Sequence, residues 1–371
     1  MDTSKGECCL MKSKIECLLQ SSSGLKGREI AKQLKLDKKS VNSFLHHDES
    51  GLFKCVENRW YLGRAETVVK IEKAGWLRAS DFEKILFENE DLWLESVESV
   101  RLEFRNCAIL LGAVSRILCL VNQLSINGKS ITLDFLECSE SFSYLCRVGL
   151  FDELDETISV IPKVQDHSCH YGQNSKVMEF VSIPFETKET DLPTRLKKSF
   201  IELAGEEHAN TAFGFIAEFI NNIIEHSETS IPGVAALQVY GKDKKRKNVQ
   251  TVFSDSGKGI IGTLRPVLQL RYPKLYRKYP LDNTKSNALL LKEVFENGGI
   301  SGAKDPNYKS RGLGMKLSAK NAAKFDATIC IRQECFEITI KYQEGQVYEF
   351  SYQDELTKIL GTHICFDFYL D

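Results

Sequence analysis

Along the chain the spacing of apolar positions changes several times, and each spacing predicts an element. Residues 217–228, AEFINNIIEHSE, set Phe219, Ile220, Ile223 and Ile224 on one side of a helix. Glu218, Asn222 and His226 recur every fourth position on the other, with Asn221 and Glu225 a step round the barrel. Such polar groups are costly to bury without partners, so this face needs either water or a ligand. Near the start, KIECLLQ, LKGREIAKQLKL and DKKSVNSFLHHDES each read as a short amphipathic helix, the third with Asp37 suited to N-capping. LFKCVENRWYLG then reads as two short strands joined by a polar turn at Glu57, Asn58 and Arg59.

Residues 66–94 predict a polar helical connector with an acidic end, ENEDLW. After it come a strand, SVRLEF, a long helix, AILLGAVSRILCLVNQLSINGK, closed by Asn127 and Gly128, a strand, SITLDF, and a helix, SESFSYLCRVGLFDEL. This alternation implies a small α/β layer with parallel strands and right-handed crossovers. Ser139, Ser141 and Ser143 are expected to cap the second helix, although their position also suits phosphorylation. Beyond residue 190, GVAALQVYG and NVQTVFSDSG predict two strands around a solvated KDKKRK loop. The second strand runs directly into SDSGKGIIG. SRGLGMKLSAKNAAKF places Gly312 and Gly314 at the opening of a helix, and GTHICFDFYL is a strand begun by Gly361 and Thr362.

Composition narrows the picture. A chain of 371 residues exceeds one ordinary hydrophobic core, so two or three domains are expected, and 42% hydrophobic with 27% charged residues is the balance of a folded protein. A net charge of −2 excludes an overall polycation but not a local basic patch. Residues 10–64 hold eleven Lys or Arg against six Asp or Glu, a surplus that suits phosphate contact. The twelve cysteines contain no C-x-x-C pair and the seven histidines no H-E-x-x-H, so reduced, packed thiols are expected rather than zinc. The opening MDTSKGECCLMKSK lacks the apolar stretch of a signal peptide, and no run of about 18 apolar residues occurs. A cytoplasmic location without membrane contact is expected.

Three helices followed by a hairpin form the plan of a winged helix-turn-helix, in which the helix from about Lys38 to His47 can enter the major groove. This segment also resembles the Zα type of winged helix. Lys38, Asn42 and Trp60 stand where those domains keep their lysine, asparagine and tryptophan contacts; His46 replaces the tyrosine, and ENRW lacks the preceding proline pair. The resemblance implies DNA or RNA as a partner through residues 10–64, with protein contact or dimerisation as the alternative. The order of strands and helices in the middle region is similar to the STAS fold of anti-sigma-factor antagonists.

The C-terminal motifs together resemble the GHKL ATPases, which include gyrase-type topoisomerases, heat-shock ninety chaperones, histidine kinases and anti-sigma-factor kinases. The 217–228 helix matches their N box through Glu218 and Asn222, DSGKGI the first glycine box, RGLGMKL the second, and GTHICF the terminal threonine element. The likeness spans about half the chain, and four motifs in the family's order make it specific. It implies that Asn222 ligates Mg2+ with a neutral oxygen and that Glu218 takes a proton from, or orients, the attacking water. Asp255 would accept a hydrogen bond from the adenine amino group, supported by Thr362. Gly257 and Gly259, with Ile260 beside them, would let the backbone approach the ring. Gly312, Leu313 and Gly314 would turn amides toward the phosphates, with Arg311 or Lys316 adding charge. His226 would bond structurally nearby.

GKGIIG also satisfies the dinucleotide fingerprint G-x-G-x-x-G, with Asp282 near the required distance. The following TLRPVLQLRYPKLYRKYP holds three prolines, however, and is expected to make a poor helix. No Walker A sequence is present, and no histidine relay segment precedes the N box. Residues 263–310, rich in Tyr, Lys and Arg, would form a lid with a partner or substrate contact.

The expected architecture is an α/β and α+β multidomain chain. It comprises a winged helix-turn-helix (1–65), a helical connector (66–94), a STAS-like α/β layer (95–188) and a GHKL two-layer α/β sandwich (189–371). The expected function is Mg-ATP hydrolysis or ATP-dependent switching coupled to nucleic-acid binding. A serine kinase, or a non-hydrolysing ATP-sensing adaptor acting on a STAS-like partner protein, is the alternative, and a homodimer stays open.

Overall fold

The computed structural model describes residues 3–22, 24–48, 52–56, 58–62, 66–89, 91–95, 97–165, 176–183, 192–204, 206, 216–217, 219–224, 229–241, 247–297 and 326–370. It is a mixed α/β chain of two compact units, Met1–Val68 with Leu92–Val100, and Val69–Asp91 with Arg101–Asp371. Among the described residues no helix is long and apolar enough to cross a membrane.

The first unit holds helices α1 (Thr3–Ser21), α2 (Gly27–Leu34) and α3 (Lys38–His47), then strands β1 (Phe53–Val56) and β2 (Arg59–Leu62), which pair antiparallel. α2 ends at Lys35 in a left-handed conformation, and Leu36 N bonds back to Ala31 O at 2.9 Å, which turns the chain sharply into α3. Asp37 caps α3 as expected, its carboxylate accepting from Ser40 N at 2.8 Å. Ile15, Leu19, Ile30, Ala31, Val41, Leu45, Phe53 and Trp60 bury one face of every element into a single small core.

β3 (Glu66–Leu77), β4 (Ser99–Ile109), β5 (Ser130–Glu137) and β6 (Ser159–Ile161) form a four-stranded sheet in that order, which falls in the second unit from Val69 of β3 and Arg101 of β4 onward. β5 and β6 run parallel. The helical connector expected over 66–94 is corrected here: residues 66–77 are a strand, and only α4 (Ala79–Phe87) is helical. Val69 and Ile71 are buried two apart between exposed Val68, Lys70 and Glu72, a period of two that a helix cannot satisfy. The helix expected after β4 is α5 (Leu111–Ile126), and the one after β5 is α6 (Ser139–Arg147) followed by a 3-10 turn, Leu150–Glu153. The serines do not cap α6. Cys138 occupies the N-cap without a side-chain capping bond, its thiol donating instead to Cys107 O, to which buried Ser141 also donates inside the layer.

The larger sheet has seven strands in the order β12-β11-β10-β13-β9-β8-β7, every neighbouring pair antiparallel. Its strands are β7 (Val177–Ile183), β8 (Gly233–Tyr240), β9 (Lys247–Ser254), β10 (Asp326–Gln333), β11 (Phe336–Gln343), β12 (Gln346–Gln353) and β13 (Thr362–Leu370). Interleaved with them are α7 (Leu192–Ala204), α8 (216–224, residue 218 not described), α9 (Gly259–Arg271), α10 (Pro273–Lys278) and α11 (Thr284–Asn297). On one face Val249, Phe253, Ile329, Ile331, Ile364, Phe366 and Phe368 meet apolar residues of α7, α8, α9 and α11. The other face receives α5, which is also packed against β5 and is buried from Leu111 to Ser125.

The poor helix expected after GKGIIG is also corrected: α9 runs thirteen residues with Pro266 inside it. Ile261, Leu264 and Leu268, spaced at three and four, are buried in the main core, and that burial outweighs the backbone bond that proline removes.

Candidate functional site

The first glycine box and the terminal threonine element meet where β9 ends beside the start of β13. Asp255 follows β9, and its N–H extends the ladder to Thr362 O at 3.0 Å. Its odd position in the strand pairs it with Phe253, so its side chain lies on the helical face of the sheet. Carboxylate Oδ1 accepts from Gly257 N at 2.8 Å, an Asx turn that reverses the chain into α9. Burial pushes the Asp255 carboxyl up to about 6, and the bonds it accepts from Gly257 and from the Thr362 backbone and hydroxyl hold back a larger rise. Among the described residues the donors that reach this carboxylate, from Gly257 and Thr362, are neutral.

Two glycines make this corner sterically feasible. Gly361 has φ +97, and a Cβ there would fall 1.9 Å from Asp255 O. Gly259 has φ +69, and a Cβ would meet Gln333 Oε1 at 2.8 Å and Gly361 O at 3.0 Å. Ile260 is half-buried against the main core and anchors the first turn of α9.

Sequence reasoning missed Gln333, the last residue of β10, which pairs with Thr362 in the ladder. Its Nε2 donates to Thr362 Oγ1 at 3.1 Å, and its Oε1 accepts from Ile261 N at 3.2 Å. Thr362 therefore receives a bond from Gln333 and passes its own hydroxyl hydrogen to Asp255. The only signal in the sequence is a polar residue closing the alternation ATICIRQ.

α8 lies on the same face of the sheet. Ile216, Phe219, Ile220 and Ile223 are buried, while Asn221 is exposed and Asn222 half-buried. Phe219 stacks on Phe253 at 5.5 Å, two residues before Asp255, and Ile223 fills the space where Gly233 lacks a Cβ. The apolar side of this helix is thus fixed on the strand that delivers Asp255. Glu218, Glu225, His226, Arg311, Gly312, Leu313, Gly314 and Lys316 lie outside the described residues.

The segment expected as a lid is folded over its described part. Arg265 of α9 donates to Asn287 Oδ1 at 2.7 Å, Tyr279 O at 2.7 Å and Ser286 Oγ at 3.2 Å, joining α9, the end of α10 and α11. Lys278 and the Tyr279 hydroxyl both bond Glu293, at 2.6 and 3.1 Å.

In the first unit, Lys38 is exposed in the first turn of α3 and Asn42 is half-buried one turn later. Gly27 makes room for Asn42, since a Cβ there would sit 2.0 Å from its Oδ1. Trp60 is buried in the small core with His46 edge-on at 4.9 Å, and its backbone pairs with Leu25. Lys32, Lys35, Lys39 and Lys54 are exposed nearby in the sequence.

Among the described residues no group of three or more His, Cys, Asp or Glu is placed to hold a metal ion. Comparison with protein-family models gives no match, and a search of curated proteins gives none either.

Proposed function

We propose that the second unit binds an adenine nucleotide at the Asp255 corner in the manner of the GHKL ATPases, and that Mg-ATP hydrolysis or ATP-dependent switching follows. The observation that carries this reading is the buried carboxylate of Asp255, braced by Gly257 N–H and the Thr362 hydroxyl on a backbone kept bare by Gly259 and Gly361. An ionised carboxylate in that setting suits a purine amino group, because a neutral donor is accepted without a second buried charge. The order of elements fits as well: α8, two antiparallel strands, the Asp255 turn, a helical insertion, and a return strand opening on Thr362.

The residue types of the motifs would suit Mg-ATP. Asn222 offers a neutral amide oxygen, a hard ligand appropriate to an ion that also holds phosphate oxygens. The ion would neutralise charge on the phosphates. Glu218 would orient water or accept its proton, and Arg311 with the Gly312–Leu313–Gly314 backbone would hold the phosphate tail. Isothermal titration calorimetry tests the assignment. Asn222→Ala is expected to lose Mg-ATP binding, whereas Glu218→Ala binds but does not hydrolyse. Parent-like turnover in both variants would sink it.

We further propose that the first unit, a winged helix-turn-helix of Zα-like plan, contacts DNA or RNA through Lys38, Asn42 and the surroundings of Trp60. The surplus of five positive charges over residues 10–64 and the exposed lysines of α2, α3 and β1 support this. The full chain should lose nucleic acid steeply as salt rises. Binding that ignores salt, or no binding, removes the proposal and leaves an ATP-sensing adaptor or serine kinase as the alternative.

A further inference from the structure

We infer that Gln123, on α5 behind the opposite face of the sheet, is a positioning residue for the base-recognition corner. The inference rests on the nucleotide reading of that corner.

Gln123 is fully buried, and every polar atom of its amide is used. Nε2 donates to Ser256 Oγ at 2.9 Å and to Leu360 O at 2.9 Å, while Oε1 accepts from Leu360 N at 2.8 Å. Ser256 directly follows Asp255. Leu360 directly precedes Gly361 and Thr362, the residues pressed against Asp255. One side chain therefore clasps the two chain segments between which the carboxylate is held. The last ladder bond there is Asp255 N to Thr362 O, so the amide of Gln123 continues the connection past the end of the strands.

The clasp has a fixed base. Asn122, the preceding residue of α5, donates to Glu153 O at 2.8 Å and accepts from Asp155 N at 2.9 Å, which locks the register of the helix within its own layer. Cys119, one turn earlier, bonds Ser254 and Ser256, and burial pushes its thiol up to about 12, so it adds no charge behind the corner. The α/β layer in front of residue 165 thus sets where Asp255 and Gly361 stand, although none of its residues belongs to a nucleotide motif. A leucine or methionine at 123 would fill the space but leave the Leu360 amide, its carbonyl and the Ser256 hydroxyl without these bonds in a dry interior.

The test uses the full chain and three variants: Gln123→Met, which roughly conserves volume, Ser256→Ala, which removes one of the three bonds, and Ile126→Ala as a control at an exposed position of the same helix. Calorimetry with Mg-ATP and Mg-GTP is read as the ratio of the two affinities, alongside the melting temperature. Gln123→Met is expected to lose about tenfold in ATP affinity and to bring the ratio toward one, with about threefold for Ser256→Ala. Ile126→Ala should keep the parent ratio. A merely structural role would lower the melting temperature while leaving the ratio alone. Should Gln123→Met fail to fold, Ser256→Ala decides: a parent-like ratio overturns the inference and a reduced one supports it. A parent chain that binds no adenine nucleotide overturns the nucleotide reading beneath it. A parent that prefers ATP with an unchanged ratio in both variants overturns only the role of Gln123.

Discussion

The two faces of the seven-stranded sheet are buried by opposite chemistry. Against α7, α8, α9 and α11 the strands present Phe, Ile and Val, with Phe219, Phe253, Phe366 and Phe368 in ring contact. Against α4 and α5 they present charge. Arg332 of β10 donates to Glu83 of α4 at 2.9 Å, Arg116 of α5 bonds Glu83 at 2.9 Å and also Glu337 of β11, and all four side chains are buried. Apolar packing is tolerant of register, whereas a paired charge array is satisfied in one arrangement only. The apolar face supplies cohesion. The polar face fixes α4 and α5 against the strands.

The largest effect that would sharpen this contrast comes from Glu83. Glu83→Ala removes the carboxylate that Arg332 and Arg116 share, leaving Arg332 its bonds to backbone carbonyls and Arg116 its bond to Glu337, and a loss of about 3–5 kcal/mol is expected in urea unfolding. Phe366→Leu on the other face keeps most of its volume and should cost under about 1.5 kcal/mol. A smaller loss for Glu83→Ala than for Phe366→Leu would break the comparison.

Asp255 is where the apolar face carries its own charge, and pH isolates it. Its carboxyl titrates near 6 in the folded chain against 3.8 for the ordinary group, so the folded state holds the proton more tightly. The stability it contributes is complete below about 3.8 and is lost as pH rises through about 6, a change on the order of 3 kcal/mol. Asp255→Asn should match the parent at pH 4 and exceed it at pH 7 in nucleotide-free unfolding. The parent's ATP affinity should fall below pH 6, because protonation turns one oxygen into a donor and weakens the acceptor that remains. Equal pH slopes in parent and variant would remove Asp255 from the account.

Local pattern carried much of this fold. Asp37 as a cap, the β1–β2 hairpin, the buried stripe of α8 and the β8–β9 hairpin all follow from spacing, because each is settled by neighbours in sequence. Residues 66–77 were misread because Lys70, Glu72 and Lys73 suggest a polar helix, while only the pairing of β3 with β4 reveals the alternation. Asp255, Gly257 and Thr362 were legible as a set through their motifs, and the fold brings them together. Gln333 and Gln123 were not legible, since each acts through partners far away in the sequence, at Thr362 and at Leu360. An amide near the end of a strand or inside an apolar helix carries no mark of what it will meet.

The smallest effect separates polar fit from mere burial on the charged face. Ser115 of α5 and Ser254 of β9 share a hydrogen bond of 2.7 Å, and both are buried. Ser115→Ala leaves the Ser254 hydroxyl with the Cys119 thiol as its weaker partner, Ser254→Ala strips Ser115 of its bond to β9, and each should cost about 1 kcal/mol. Removing both hydroxyls leaves two methyl groups facing each other with nothing unsatisfied between them, so the double variant should cost no more than either single one. The coupling is therefore about 1 kcal/mol or more in a double-mutant cycle. Additive losses would mean that the two hydroxyls find other partners once separated. In that case the polar face would tolerate rearrangement as readily as the apolar one, and its proposed role in fixing α5 would not hold.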